Sequence, residues 1–364
     1  MNIKLKFPLP LCLALFPALI TMAGASRPDG ERTLAIPVRH PARLLDILCD
    51  GKPPQRELFE RPSFPKMTAS GATGANVLYE SGQRDVWYIE SQRSVVDRME
   101  ALVVNRLARG VDIGVMPDIE LILKWAFDRQ ADDGGFPGTA DPYHSGEIFI
   151  NSVARGFLLI RQSGLPEYQF IVDKYLDKLR LAAGWFLDSK DAARGRERNK
   201  PFTHRRYILA EALGSVAALT GDKRLEAFAL ELAREGVSLL TPDGISPELG
   251  GFDTNYSNAG ALQAMRYWFV CPDAGQREAL LKMARTTLGL IGERVGGDGS
   301  VNVKGDSRIG ANHVNRDGKP KEFNRAEGIY SFCLGYYLLG DESCLGVAEK
   351  IARGRRASER RPQP

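Results

Sequence analysis

Asp243-Gly244-Ile245-Ser246-Pro247-Glu248-Leu249-Gly250-Gly251-Phe252-Asp253-Thr254-Asn255-Tyr256 opens on an Asp-Gly turn. Its counterparts are Asp133-Gly134, 110 residues upstream, and Asp298-Gly299, 55 residues downstream. The intermediate position is held by Asp188, in the turn-like run Leu187-Asp188-Ser189-Lys190-Asp191. A unit of about 55 residues, helix-forming between Gly turns, predicts helical hairpins laid side by side, each covering the apolar face of the next. The expectation is an all-α, single-domain chain: an (α/α) toroid of about 5–6 hairpins whose inner helices present their ends to one shared cleft.

The helical period supports this. Val95-Val96-Met99-Leu102-Val103-Leu107, Ile119-Leu121-Ile122-Trp125-Ala126 and Ala210-Leu213-Val216-Ala217-Leu219 set apolar residues three and four apart, the signature of a packing face. Ser163-Gly164, Gly221-Asp222 and Gly340-Asp341 supply the chemistry of turns between antiparallel helices.

The ends of the chain are read separately. A short basic start, an apolar run from Phe7 to Met22 and the small residues Ala23-Gly24-Ala25 form a secretory signal. Residues 1–25 are therefore expected to be removed, the mature chain to start at Ser26, and the protein to be periplasmic or secreted. An N-terminal arm with a first helix from Pro41 to Cys49 is expected over 26–90, the toroid over 91–352, and a disordered basic tail over 353–364. Export permits disulfides. Cys49, Cys271, Cys333 and Cys344 are scattered, so they are either buried hydrophobes or include a Cys333–Cys344 bridge, and no metal spacing is present.

The formal charge of +4 sits at the ends. Without Lys4 and Lys6 there are 47 basic and 45 acidic residues, and Arg353–Arg361 carries five Arg and one Glu. The body is thus slightly acidic, which excludes a global basic field for nucleic acid or a membrane surface. Any anion must be held by local groups. A monomer is expected, without integral membrane association and without metal or cofactor.

Aligning the hairpins on their turns places polar and aromatic groups at the start of each inner helix: Tyr143-His144, Thr203-His204-Arg205-Arg206, Asn255-Tyr256 and Asn324-Arg325. Helix N-termini add partial positive charge at that level, which marks it as the candidate site. Each member has a plainer alternative. His204 could pair with a carboxylate, Tyr256 could be core, and Arg325 could pair with Glu327 or Glu293.

The Asp133–Phe136 turn, the Asp243–Tyr256 run and Asn324-Arg325-Ala326-Glu327-Gly328 resemble secreted α/α-toroid polysaccharide lyases, the class of alginate, glucuronan and heparin lyases. The likeness covers residues 90–350 in architecture. It implies cleavage of an anionic, uronate-containing polysaccharide by β-elimination, with Asn151, His204, Tyr256 and Arg325 matching the family's catalytic Asn, His, Tyr and Arg in type and order. The chain departs from the pattern in having Thr203 before His204 and no Arg just upstream of Tyr256.

In such a reaction the uronate carboxylate must be neutralised as the C5 proton leaves, a role for Arg325 and Asn151. His204 or Tyr256 takes that proton, and the Tyr256 hydroxyl protonates the leaving oxygen. Tyr143, His144, Arg205, Arg206, Asn255, His313 and Asn324 are the expected substrate-binding groups. The loop from Gly296 to Phe323 is expected to form a lid, with Asn312, His313 and Arg316 reaching substrate. Two alternatives stand beside this: a glycoside hydrolase using two of Glu147, Glu248, Asp253 and Glu327, and a non-catalytic carbohydrate-binding toroid.

Overall fold

The computed structural model describes residues 43–60, 62–74, 87–314 and 320–359, all within one compact unit that begins at Val38. The signal expected over 1–25 and the start at Ser26 lie outside the described residues, as does Arg316.

The Asp-Gly spacing has a conformational basis. In Ala131–Gly135 the first N–H donates to the fifth carbonyl (2.9 Å) and the fourth N–H donates back to the first carbonyl (2.9 Å). The same two bonds recur at Thr241–Ile245 (3.0 and 2.8 Å) and Gly296–Ser300 (2.8 and 3.0 Å). A fourth copy at Thr68–Ala72 (2.9 and 3.1 Å) carries Ser70-Gly71, so a search for Asp-Gly passes over it. In all four the fourth residue is a left-handed glycine, at φ 100° for Gly71, 93° for Gly134, 76° for Gly244 and 78° for Gly299. A Cβ on Gly71, Gly134 or Gly299 would also collide with the carbonyl oxygen of Leu121, Leu181 or Lys350. Each turn therefore seats its glycine on a helix further along the chain. Around position 188 the chain does something else: one helix ends at Asp188 and Ser189 caps the next by accepting from the Asp191 N–H.

Helices fill the rest. In chain order they are α1 (Leu44–Asp50), α2 (Pro53–Glu60), α3 (Tyr88–Ser91), α4 (Val95–Arg109), α5 (Met116–Phe127), α6 (Pro142–Ser163) and α7 (Pro166–Asp188). They continue as α8 (Lys190–Arg198), α9 (His204–Thr220), α10 (Lys223–Ser238), α11 (Thr254–Trp268), α12 (Ala274–Glu293), α13 (Arg325–Leu339) and α14 (Glu342–Glu359). The one sheet among the described residues is the antiparallel pair β1 (Gly310–Val314) and β2 (Pro320–Lys321). Asp141, Asp222, Asp253, Asp273 and Asn324 cap the helices that follow them by accepting a backbone N–H. Left-handed Gly110, Gly164, Gly221 and Gly340 end α4, α6, α9 and α13.

Burial separates two sets. In α9 almost every residue from His204 to Ala217 is buried, and α13 is buried from Gly328 to Gly335, as expected of helices apolar on every side. α5, α7, α10 and α12 keep one wet face. The inner helices pack in sequence, α4 on α6, α6 on α9, α9 on α11 and α11 on α13, and α2 packs on both α4 and α13. None of the described helices is long and apolar enough to cross a membrane.

One expectation changes and one open alternative closes. Residues 353–359 extend α14, because Ala, Arg and Glu are helix formers; 360–364 lie outside the described residues. The four cysteines are free thiols, so no Cys333–Cys344 bridge forms, and burial pushes both thiols up to about 12.

Candidate functional site

The starts of α6, α9, α11 and α13 meet residues of α2, α4, β1 and β2 around a cavity of about 2090 Å³. At one end, His204 begins α9 and Glu248 holds it twice. One Glu248 oxygen accepts the His204 backbone N–H at 2.7 Å and the other lies 2.8 Å from Nδ1. Glu248 is wholly buried and precedes Leu249, a non-glycine residue in the left-handed region at φ 53°. Strain at such a position is kept where the surroundings fix it. With Nδ1–H donating to Glu248, the Nε2 lone pair is left as a proton acceptor. Burial lowers the imidazole below its ordinary 6.5 despite Glu248, so it is neutral at pH 7.

Tyr256, in the first turn of α11, lies beside it with ring centroids 5.0 Å apart. Two cations meet this phenol. Lys321 of β2 donates to its oxygen at 2.8 Å, and the Arg308 guanidinium covers its ring at 3.4 Å. Arg308 also pairs with Glu248 at 3.5 Å and, like Arg205, packs over Phe202.

Asp253 explains how Arg308 arrives there. One of its oxygens caps α11 through the Tyr256 N–H, and the other accepts the N–H groups of Arg308 and Ile309 at 2.9 and 2.8 Å. Asp306 reinforces the loop by accepting from Thr254 and pairing with Arg294. Asp253 is 0% exposed and occupied by three backbone amides, so it is a clamp.

His144 repeats the His204 arrangement on α6. Its Nδ1 lies 2.8 Å from Glu147, and its ring meets Trp87 edge-on. Burial pushes His144 well below 6.5 and Glu147 well above 4.5, favouring the neutral form of each. Arg205 stands 3.7 Å from Asp141 and 3.9 Å from Glu147.

Of the residues expected from sequence, His144, Asn151, His204, Arg205, Asn255, Tyr256 and Asn324 line the cavity. Asn151 does so with a committed amide: it donates to Ile208 O and Glu211 and accepts from Arg155. Asn255 accepts the Asn324 N–H, while the Asn324 side chain caps α13. Four others do not line it. Arg325 turns back to donate to the Gly299 carbonyl at 2.7 Å, and pairs with neither Glu327 nor Glu293. Arg206 binds Glu235 and the carbonyls of Asn199 and Phe202. Tyr143 is buried against Phe186. His313 on β1 is half-buried outside the lining, although Val314, Pro320 and Lys321 of the same hairpin contribute to it. Sequence reasoning missed Arg308 and Lys321, and named Glu248 only as a hydrolase carboxylate. The available signal was charge placed in a Gly- and Asn-rich loop.

No protein-family model matches the chain, and searches of curated proteins and of solved structures find no match.

Proposed function

We propose that the helical hairpins form an (α/α) toroid and that the protein is a polysaccharide lyase cleaving a uronate-containing, anionic polysaccharide by β-elimination. The observation carrying this reading is the juxtaposition of His204 and Tyr256, rings 5.0 Å apart, with Glu248 on the far nitrogen of the histidine and cations around the phenol.

In this mechanism Arg308 and Arg205 face the uronate carboxylate. Neutralising it acidifies the C5 hydrogen and stabilises the enolate-like charge that develops. His204 Nε2 takes the C5 proton, with Glu248 bearing on the imidazolium that forms. Electrons of the broken C5–H bond form the C4–C5 double bond as the C4–O4 bond breaks. The Tyr256 hydroxyl protonates O4, and the Lys321 ammonium stabilises the phenolate that remains. Arg308 takes the place that the family resemblance gave to Arg325, and Asn151 acts by holding Arg155 at the cavity wall, with Glu211 behind it.

Hydrolysis is the less favoured chemistry. Asp253 has no oxygen left for a glycosidic bond, and Glu147 and Glu248 each hold a histidine. The test is incubation of purified protein with glucuronan, alginate, pectate and glycosaminoglycans, following ultraviolet absorbance of new unsaturated ends. Growth of that signal supports the lyase; new reducing ends without it would move the assignment to a hydrolase.

A further inference from the structure

The elimination chemistry uses Tyr256 and its neighbours, yet the cavity lining continues along one stripe of α11: Asn255, Tyr256, Ala259, Leu262, Gln263 and Arg266. At 1.5 Å per residue, Arg266 lies about 15 Å along the helix from Tyr256. Arg266 is 7% exposed, and among the described residues its guanidinium has no carboxylate within ion-pair distance. It stacks at 4.3 Å on the ring of Tyr330 from α13. Among the described residues three buried polar atoms here have no hydrogen-bond partner by geometry, Arg266 Nε, the Tyr330 hydroxyl and Gln263 Oε1, and the Arg266 guanidinium lies near enough the Tyr330 hydroxyl to offset part of its burial. Buried polar atoms without partners are rare, because each forfeits its hydration.

We propose that Arg266, Tyr330 and Gln263 form a second subsite, which binds another acidic sugar of the same polysaccharide. This deepens the elimination reading and rests on it. The two donors, Arg266 Nε–H and the Tyr330 hydroxyl, face one carboxylate, and Gln263 Oε1 accepts from a sugar hydroxyl. Neighbouring charges limit the site to one anion. Arg155 is held between Glu100 and Glu211 at 2.8 and 3.2 Å, with Asp97 close to that pair, so Arg266 is the cation of this group left to meet a substrate carboxylate. Burial raises the Tyr330 phenol above its ordinary range, which keeps the hydroxyl a donor. The enzyme then reads two carboxylates on one chain, one at His204 and Tyr256 and one about 15 Å further along α11.

The test is a length series of uronate oligosaccharides cut from whichever polymer is cleaved, assayed with wild type and Arg266→Gln. Loss of a charged hydrogen bond predicts a KM about tenfold higher for oligomers long enough to span both subsites, with kcat changed less than about twofold, and no such rise for the shortest cleavable oligomer. Should Arg266→Gln fail to fold by circular dichroism, Tyr330→Phe and Gln263→Leu remove single polar atoms, and each is expected to raise KM with the same length dependence. Calorimetry of the longest oligomer on Tyr256→Phe, with and without Arg266→Gln, should show the same loss without turnover. Unchanged KM for long oligomers, or an equal rise at every length, would overturn the subsite while leaving the lyase standing. Absence of cleavage with every uronate polymer would sink both.

Discussion

Tyr256 is the residue on which the chemistry turns, because its oxygen meets Lys321 and its ring meets both His204 and Arg308. Tyr256→Phe keeps the ring and its packing, so unsaturated ends should fall below detection while melting temperature and polymer binding stay near wild type. Retained absorbance growth in this variant would remove the hydroxyl from the mechanism. His204 sets the acid limb. A protonated imidazole cannot accept, and burial holds this one below 6.5, so the acid limb of kcat/KM should be centred below pH 6.5. A limb centred above 6.5 would point to another base. Asp97 faces the cavity with its side chain open to solvent, yet the protein packed around it and then Glu100 raise it to about 6. A carboxyl with a raised folded pKa gives stability that is present below 3.8 and lost as pH rises through about 6. Asp97→Asn should therefore raise the melting temperature at pH 7 and leave it unchanged at pH 4. The gain should be no more than about 1 kcal/mol, since solvent in the cavity screens the charge. At this scale sequence and structure agree unevenly. Equivalent helix starts brought His204 and Tyr256 together, but a residue at a helix start can point in any direction, and Arg325 points to Gly299. Arg308 and Lys321 were not legible, because Asp253 captures backbone amides 55 and 56 residues away, a contact that no local pattern encodes.

The recurring element is the five-residue turn, and it accounts for both the success and the gap in reading the repeat. Asp-Gly at 133, 243 and 298 marked three turns because a left-handed φ favours glycine whatever follows. The copy at Thr68–Ala72 uses the same backbone with Ser70 in the Asp place, so composition hid what conformation repeats. The glycine is needed twice over at Gly134, where φ is 93° and a Cβ would strike the Leu181 carbonyl. It is needed once at Gly110, where φ is 69° and the space is open. Gly134→Ala should accordingly cost about 2 kcal/mol or more, and Gly110→Ala about 1 kcal/mol. Urea titration of the two variants distinguishes these: equal losses would mean that docking of the turn on α7 contributes nothing. The loop from Gly296 to Phe323 was expected as a lid; within it β2 brings Lys321 to Tyr256. Asp253 and Asp306 anchor the preceding loop, because backbone amides and Thr254 satisfy both carboxylates, of which Asp253 was a candidate hydrolase acid.

At the level of the whole molecule, the order of the inner helices leaves α4 and α13 as the ends of the series, and α2 fills the space between them. It holds α4 through the Asn105 side chain, which donates to the Phe59 carbonyl at 2.9 Å, and meets α13 through Phe59 and Tyr330, edge-on at 6.2 Å. The sequence hid this because an eight-residue segment opening on Pro53-Pro54 carries too few turns to show a period. The consequence is cooperative. Phe59 is 5% exposed, and its removal opens a cavity where the two ends of the helix series meet, costing about 3 kcal/mol. Because α2 is shared by both ends, Phe59→Ala should lower the single thermal transition of the entire chain rather than release an N-terminal part. It should also loosen Tyr330, so KM for long uronate oligomers should rise together with the loss of stability. Calorimetric scans of wild type and variant, with tryptophan fluorescence followed in parallel, test this. A separate early transition for residues before α3, or coincident melts with unchanged KM, would show that α2 rests on the helices without joining them.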